Sequence, residues 1–274
     1  MDGKYKYILL LISCFFSSPD PALCAETLMA SGCSVSTVAY LSDLAQAYEK
    51  ETGIQVLVRG GGSLLGLTDL SATRVDLAAS CRGKSPGDPT DFEFIPVAWD
   101  ALVFIVNKSN PLSNIKPDDV RLIYEGKITN WKQLGGLDLN VTSFISTPQG
   151  MGGIGEALGK MILNGKLPEK QSNSSMQASS VAIWEQMVEK TPEGFASTGF
   201  GSARKRKVKI LKVNGVPPTK ENIISGVYPF KRQLYLTIKR DARPEVRKFI
   251  DFVLSKKGQG LISSYGIPSL ADMK

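Results

Sequence analysis

The sequence contains no histidine, and this absence limits the chemistry that the chain can perform. Without an imidazole, neither a Ser–His nor a Cys–His nucleophile can form. Zinc sites that rely on histidine ligands are excluded for the same reason. The acidic residues Asp88, Asp91 and Asp100 occur singly, as surface or capping residues usually do. The sequence therefore indicates a protein that is not an enzyme.

Long hydrophobic runs are scarce. The apolar run at residues 7–16 is too short to cross a bilayer as a permanent helix. It follows Lys4 and Lys6 and precedes small and polar residues, which is the layout of a secretory signal, so we expect cleavage after Ala25. The alternative is lipoprotein processing, in which Cys14 would carry a lipid anchor. Both kinds of processing predict an exported, periplasmic protein.

Cysteine is scarce too, with four residues in the chain. Removal of the predicted signal takes away Cys14 and Cys24 and leaves Cys33 and Cys81. In an oxidising compartment two remaining cysteines favour a disulfide, provided that the fold brings them together. A pair of free thiols is the alternative.

Acidic residues are outnumbered, because 33 Lys and Arg stand against 26 Asp and Glu and give a formal charge of +7. Loss of residues 1–25 removes acids and bases in equal number, so the charge stays at +7. This balance suits anionic ligands or an anionic membrane surface. The basic run at residues 203–212 has no interleaved aromatic residue to stack on a base, which favours a solvated edge and predicts no nucleic-acid partner.

Short apolar runs alternate with segments of helical periodicity along the chain. This order predicts an α/β protein with a mostly parallel sheet and helices on both faces. We expect Pro244 to start the last helix and Gly258 to end it. The predicted strands are 27–31, 54–60, 75–80, 100–107 and 233–239, and the predicted helices are 35–52, 63–73, 116–126, 179–190 and 243–258.

A glycine-rich loop at residues 146–158 leads into a predicted helix, an arrangement that can hold a phosphate group. No Lys or Arg lies between Ser146 and Gly155. The loop thus has the shape of an anion-binding turn without the charge that would strengthen it.

Six segments resemble, in order, the phosphate-binding proteins of bacterial ABC importers, which are type II periplasmic binding proteins. One of them is 123–136, and its piece "GKITNWKQLGG", residues 126–136, is the most specific part of the resemblance. The others are 31–63, 75–83, 98–115, 214–236 and 252–266.

The resemblance implies a two-lobe α/β fold with two hinge crossings, near residues 101–105 and 230–234. A ligand cleft between the lobes would close by hinge motion. It also places Asp100 near the cleft floor and Arg232 at the return crossing, where we expect Arg232 to support the hinge without touching the ligand. The implied divisions are 1–25 for the signal peptide, 26–103 with 231–274 for lobe 1, and 104–230 for lobe 2.

The same resemblance implies a ligand site built from four loops. Cys33 stands where a hydroxyl residue is usual in the family, and Ser80 and Cys81 stand where some phosphate binders hold an aspartate. In the fourth loop the family usually has an Arg, then an acidic residue, then Ser-Gly-Thr, so this chain departs from the pattern at three places. Helix capping is the alternative role for Ser34 and Ser63, and a surface position is the alternative for Arg82. The residues carried over are Gly32, Cys33, Ser34, Ser63, Cys81, Arg82, Gly150, Met151 and Gly152.

The sequence therefore predicts a monomeric, exported solute-binding protein that captures phosphate or a related oxyanion and delivers it to an ABC permease of the inner membrane. No cofactor and no metal are implied. One alternative is a redox or soft-metal binding protein that uses Cys33 and Cys81, with Met151 as a third soft ligand for an ion such as Cu(I). Another is a module that binds a partner protein and no small ligand.

Overall fold

The computed structural model describes residues 27–147, 152–169, 175–178 and 180–273. Its strands are β1 (Thr27–Gly32), β2 (Gln55–Gly60), β3 (Leu77–Ser80), β4 (Phe92–Asn107), β5 (Asn114–Ile115), β6 (Thr142–Ser146), β7 (Ser175–Ala178), β8 (Gly194–Gly199), β9 (Val208–Ile210), β10 (Lys212–Val213) and β11 (Lys231–Lys239).

Ten α-helices are present among the described residues, and a π-helical turn, Thr37–Leu41, joins the first two helices. They are α1 (Ser34–Ser36), α2 (Ser42–Thr52), α3 (Ser63–Ser71), α4 (Pro117–Tyr124), α5 (Ile154–Met161), α6 (Val181–Lys190), α7 (Phe200–Ala203), α8 (Lys220–Ser225), α9 (Pro244–Leu254) and α10 (Lys256–Ser264). Short 3₁₀ turns cover Trp131–Leu134 and Ala271–Met273. In the part of the chain described, no helix has both the length and the apolar character needed to cross a membrane.

The main sheet has the strand order β2-β1-β3-β11-β4-β8-β6-β7, with β9 paired to β4. β1 runs parallel to β2 and β3, and β6 runs parallel to β7 and β8. The prediction of a mostly parallel sheet is only partly right, because β11 is antiparallel to β3 and β4, and β4 is antiparallel to β8 and β9. β11 and β4 lie at the centre of the sheet, between one half that contains β1–β3 and another half that contains β6–β8.

The long strand β4 belongs to both halves of the sheet. Its residues up to Ala101 pair with β11, and its residues from Leu102 to Val106 pair with β8. The chain thus leaves the half that contains β1–β3 within β4, and it re-enters that half at Lys231, where β11 begins. Both changes of pairing partner lie in the ranges expected for the hinge crossings. The lobe boundaries themselves stay a prediction.

The segment "GKITNWKQLGG" contributes to the core. The Trp131 side chain is fully buried, and its Nε1 donates a hydrogen bond to the Glu193 carbonyl at 3.0 Å. Asn130 caps the 3₁₀ turn by accepting a hydrogen bond from the Lys132 N–H at 2.9 Å. This segment therefore packs against the half of the sheet that contains β8, where Trp131 contacts Phe195, and it caps its own 3₁₀ turn.

The closing helix is shorter than predicted. Pro244 starts α9 as expected, but the helix ends at Leu254, and Ser255 is extended at φ −62° and ψ 161°. The Ser255 Oγ accepts a hydrogen bond from the Gly258 N–H at 3.1 Å and so caps a new helix, α10. A Cβ on Gly258 would lie 2.2 Å from the Phe252 carbonyl oxygen. The prediction that Gly258 ends the helix is wrong: this glycine lies inside α10 because the two helices meet too closely for a side chain.

Candidate functional site

The carboxyl ends of β1, β2 and β3 meet at one edge of the sheet, where open parallel sheets commonly bind ligands. Gly32 ends β1 and pairs with Gly60 at the end of β2 and with Ala79 of β3. A Cβ on Gly32 would lie 2.2 Å from the Ala79 carbonyl oxygen, and its φ is +135°. Only glycine fits there, so the first predicted site residue lets three loops converge.

A disulfide joins two of these loops. Cys33 follows β1 and Cys81 follows β3, and their Cα atoms lie 5.9 Å apart in the bonded pair. Both residues are buried. The thiols that a soft-metal site would need are therefore bonded to each other, and in the described part of the chain no cluster of metal-ligating side chains occurs.

Two buried serines lie beside the disulfide. The Ser63 Oγ accepts a hydrogen bond from the Cys81 N–H at 2.9 Å. The Ser34 Oγ lies 2.8 Å from the Oγ of Ser180. Ser180 precedes α6, which packs against the half of the sheet that contains β6–β8. Ser34 and Ser63 are each the first residue of a helix, preceded by Cys33 and Gly62 at the N-cap positions. Within the described part of the chain, neither helix has a side-chain cap. The capping alternative for the two serines is therefore wrong.

Four helices begin around these serines. Gly152 and Gly153 precede α5 and lie against the start of α3, since a Cβ on Gly152 would be 3.2 Å from the Leu64 nitrogen and one on Gly153 would be 3.0 Å from the Ser63 Oγ. Ser180 precedes α6 and contacts Ser34 at the start of α1.

The N-terminal ends of α1, α3, α5 and α6 share one electrostatic property. Within the described residues none of their N-cap side chains caps the helix. Unpaired N–H groups and the positive ends of helix dipoles attract anions. This arrangement can receive an anion without a basic loop.

Arg82 is already paired in the structure. Its Nη1 and Nη2 donate to the two carboxylate oxygens of Asp88 at 2.7 and 2.8 Å, and Nη1 also donates to the Gly83 carbonyl at 2.9 Å. Its Nε lies 3.7 Å from a Glu156 oxygen. The side chain is 14% exposed. The alternative of a free surface arginine is therefore wrong, and the expected contact with an anion stays a prediction.

The Arg82–Asp88 pair predicts a pH-dependent contribution to stability. The hydrogen bonds from Arg82 hold the pKa of Asp88 below its usual value. A carboxylate with a lowered folded-state pKa stabilises the protein above its unfolded pKa, about 4, and this contribution is lost as the pH falls through the folded pKa. We expect Asp88→Asn to be less stable than the parent at pH 7, with the difference narrowing towards pH 2.

The measurement is urea unfolding at a series of pH values. Asp251→Asn on the exposed face of α9 is the control, because no side-chain partner of Asp251 is found among the described residues, and it should change little at any pH. A difference between Asp88→Asn and the parent that stays constant down to pH 2 would contradict the role of this pair.

Asp100 and Arg232 form a buried ion pair beneath the convergent loops. The Asp100 Oδ2 lies 2.9 Å from the Arg232 Nη2, and its Oδ1 accepts from the Gly201 N–H at 2.9 Å. Asp100 is fully buried and Arg232 is 7% exposed. Burial raises the pKa of the neighbouring Tyr40 and Tyr228, and the Asp100 charge adds to both shifts. Asp100 of β4 and Arg232 of β11 stand opposite each other in register. The expected place of Asp100 near the cleft floor stays a prediction.

A cavity of about 340 Å³ opens between the loop after β3, helix α5 and strand β11. Four cationic side chains and one carboxylate, Glu156, contribute to its wall. Its wall includes Cys81, Arg82, Lys84, Gly153, Lys160 and Arg232.

The structure brings together most of the predicted site residues. Gly32, Cys33, Ser34, Ser63, Cys81 and Gly152 lie around one point, and Arg82 lines the adjoining cavity. Gly150, Met151, the predicted signal and Cys14 lie outside the described residues. Sequence reasoning missed Ser180, which precedes α6, and it missed Arg232 and Lys160 as parts of a cavity wall.

The sequence pattern of the PBP superfamily domain matches residues 25–257. The chain belongs to this superfamily. The phosphate-binding protein PstS of Borreliella burgdorferi is 28% identical over 252 residues, which cover 88% of this chain and 89% of that protein. The phosphate-binding protein PstS of Bacillus subtilis is 26% identical over 252 residues, which cover 90% and 82%.

A solved structure from Clostridium perfringens, described as that of a putative phosphate ABC transporter substrate-binding protein with bound phosphate, has the same fold. It superposes with a TM-score of 0.79, covers 89% of this chain and 100% of its own, and is 22% identical. The predicted family resemblance and the type II periplasmic binding protein fold are confirmed.

Proposed function

We propose that this superfamily member is an exported solute-binding protein that captures phosphate or a related oxyanion between the two halves of its sheet. It would hand the anion to an ABC permease and catalyse no reaction. The relatives named as phosphate-binding proteins support this function. The observation that carries it is the convergence of four helix N-termini around Ser34 and Ser63, none of which has a side-chain cap among the described residues.

The proposed mode of binding relies on backbone N–H groups and hydroxyls. The hydrogen bond between Ser34 and Ser180 spans the two halves, so a bound anion would exchange this bond for bonds to its own oxygens. The Ser63 hydroxyl accepts from Cys81 and donates to no group among the described residues, so its proton is available to an anion oxygen. The glycines at 152 and 153 allow the start of α5 to approach the same point.

The direct test is thermal unfolding of the oxidised chain from residue 26 onward, with phosphate, sulfate, molybdate or methylphosphonate. An anion at 100 times its dissociation constant stabilises the folded state by about 2.7 kcal/mol. We expect phosphate or another of these oxyanions to reach that value. If none of them stabilises the oxidised protein, the proposal fails. A parallel series with reductant and Cu(I) tests the soft-metal alternative.

Ser63→Ala should weaken anion binding. Loss of one hydrogen bond to a charged ligand costs about 1.5–3 kcal/mol, which corresponds to about a 10- to 100-fold higher dissociation constant. The measurement is isothermal titration with the anion that gives the largest stabilisation. Ser71→Ala removes a hydroxyl at the opposite, exposed end of the same helix and should leave the affinity within about twofold. Equal affinities for the two variants would exclude Ser63 from the site.

A further inference from the structure

The guanidinium of Arg232 is only partly paired. Its Nη2 binds Asp100, but Nε and Nη1 are buried and have no hydrogen-bond partner among the described residues. Nε carries one N–H and Nη1 carries two. Buried polar groups almost always find a partner, and an unpaired donor on a charged group is especially unfavourable. These donors need an acceptor.

Arg232 lies both on the cavity and beside the helix N-termini. It lines the cavity together with Cys81 and Gly153. It also lies near α1, because a Cβ on Gly199 would be 3.1 Å from the Arg232 Nη2 and 2.3 Å from Val35 in α1. The guanidinium therefore lies close to the first turn of α1, where the proposed anion site is located.

The described residues offer few acceptors to these donors. Both oxygens of Asp100 already accept hydrogen bonds, from Arg232 and Gly201. Glu156, the only carboxylate among the described residues that line the cavity, is 48% exposed and lies beside Arg82. Lys84 and Lys160 also line the cavity, and Lys160 has no ion pair in the part of the chain described. The surroundings therefore favour an anionic acceptor.

We propose that Arg232 donates hydrogen bonds from Nε and Nη1 to the phosphoryl oxygens of a ligand, either inorganic phosphate or a small phosphate ester. This proposal rests on the proposed function and names a charged residue for that site. Arg232 supplies the guanidinium that the glycine-rich loop at residues 146–158 lacks. Its bond to Asp100 holds it in place, so its expected role in supporting the hinge is joined by direct contact with the ligand.

The cavity is large enough for either inorganic phosphate or a small phosphate ester, so the experiment must distinguish the two ligands. Its volume, about 340 Å³, far exceeds the roughly 10–15 Å³ that a cavity needs to hold one water. A phosphoryl group at Arg232 thus leaves room for a small substituent towards Lys160. Glycerol 3-phosphate is the probe for an ester, and inorganic phosphate is the probe for the free ion.

The test is isothermal titration of both probes into the parent, Arg232→Lys and Arg206→Lys. Lysine keeps the charge beside Asp100 but presents a compact ammonium that cannot reproduce the Nε and Nη1 donors. We expect about a 10- to 100-fold higher dissociation constant for Arg232→Lys. Arg206 is the matched control, because its Nε pairs with the buried Glu185 at 3.1 Å and it does not line the cavity. Arg206→Lys should bind within about twofold of the parent.

A second variant guards against misfolding. Asp100→Asn with Arg232→Gln removes both charges of the pair, so no buried charge is left alone, and its unfolding curve shows whether it is folded. The Nε–H signal of Arg232, identified in NMR spectra as the signal missing from this variant, should move when the parent binds its ligand.

The outcomes separate this inference from the proposed function. If the parent binds a probe and the folded Arg232 variants bind it equally well, or if the Arg232 signal does not move, the inference is overturned and the proposed function stands. If the parent binds none of the oxyanions tested, the proposed function fails and the inference fails with it. Weaker binding of either probe by both Arg232 variants supports the inference.

Discussion

Replacing both Cys33 and Cys81 with serine should lower the free energy of unfolding by about 4 kcal/mol. The disulfide closes a loop between residues that are 48 positions apart. Such a bond removes conformational freedom from the unfolded chain. For a loop of this length, the chain-entropy model gives a stabilisation of about 4 kcal/mol. Urea unfolding of the parent and the double variant under oxidising conditions is the measurement.

Reductant provides the internal control for the disulfide. It should lower the stability of the parent to that of the double variant and leave the variant unchanged. A parent that unfolds at the same urea concentration with and without reductant would show that the pair does not stabilise the fold. Because the bond also ties the loops after β1 and β3 together, we expect the reduced parent to bind phosphate more weakly than the oxidised parent.

Replacing Asp100 with leucine should destabilise the fold by about 3–5 kcal/mol. Asp100 is fully buried, and its loss would leave the buried Arg232 charge without a counterion. The Gly201 N–H would lose its acceptor as well. Unfolding by urea at pH 7 measures the effect.

The double variant Asp100→Leu with Arg232→Met shows whether the lower stability of Asp100→Leu comes from the unpaired Arg232 charge or from the changed side-chain shape. Replacing a whole buried ion pair with apolar residues of similar size is often close to neutral, so the double variant should recover most of the stability. Glu51→Ala breaks an exposed pair with Lys257 and should cost at most about 1 kcal/mol. A double variant that is less stable than Asp100→Leu would show that the pair does not act through its charges.

Most elements of the fold are predictable from local signals in the sequence. Apolar runs that alternate with helical segments predicted β1, β2, β3 and β11, and helical periodicity predicted α3 and α6. Helical periodicity also predicted a helix that ends near Gly53, and in the structure α2 ends there with Gly53 in the left-handed conformation. Local periodicity does not indicate strand direction. The antiparallel placement of β4 and β11 therefore became clear only from pairing between residues distant in the chain, such as Asp100 and Arg232. The break at Ser255 was missed for a similar reason, because the close approach of α9 and α10 decides it.

The sequence by itself determined the chemical character of the site. It supplies small hydroxyl residues, glycines and helix starts, and its glycine-rich loop has no arginine or lysine. It also determined that no histidine chemistry occurs, because composition does not depend on folding.

The tertiary structure decided which of these groups meet. Ser34 contacts Ser180 across 146 positions of the chain, and Arg82 is paired with Asp88. Among the described residues, only the Nη2 of Arg232 reaches a carboxylate oxygen, that of Asp100, and its Nε and Nη1 find no acceptor. Hydrogen bonds depend on distances of about 3 Å between side chains, and such distances are set by the packing of whole elements and not by neighbours in sequence.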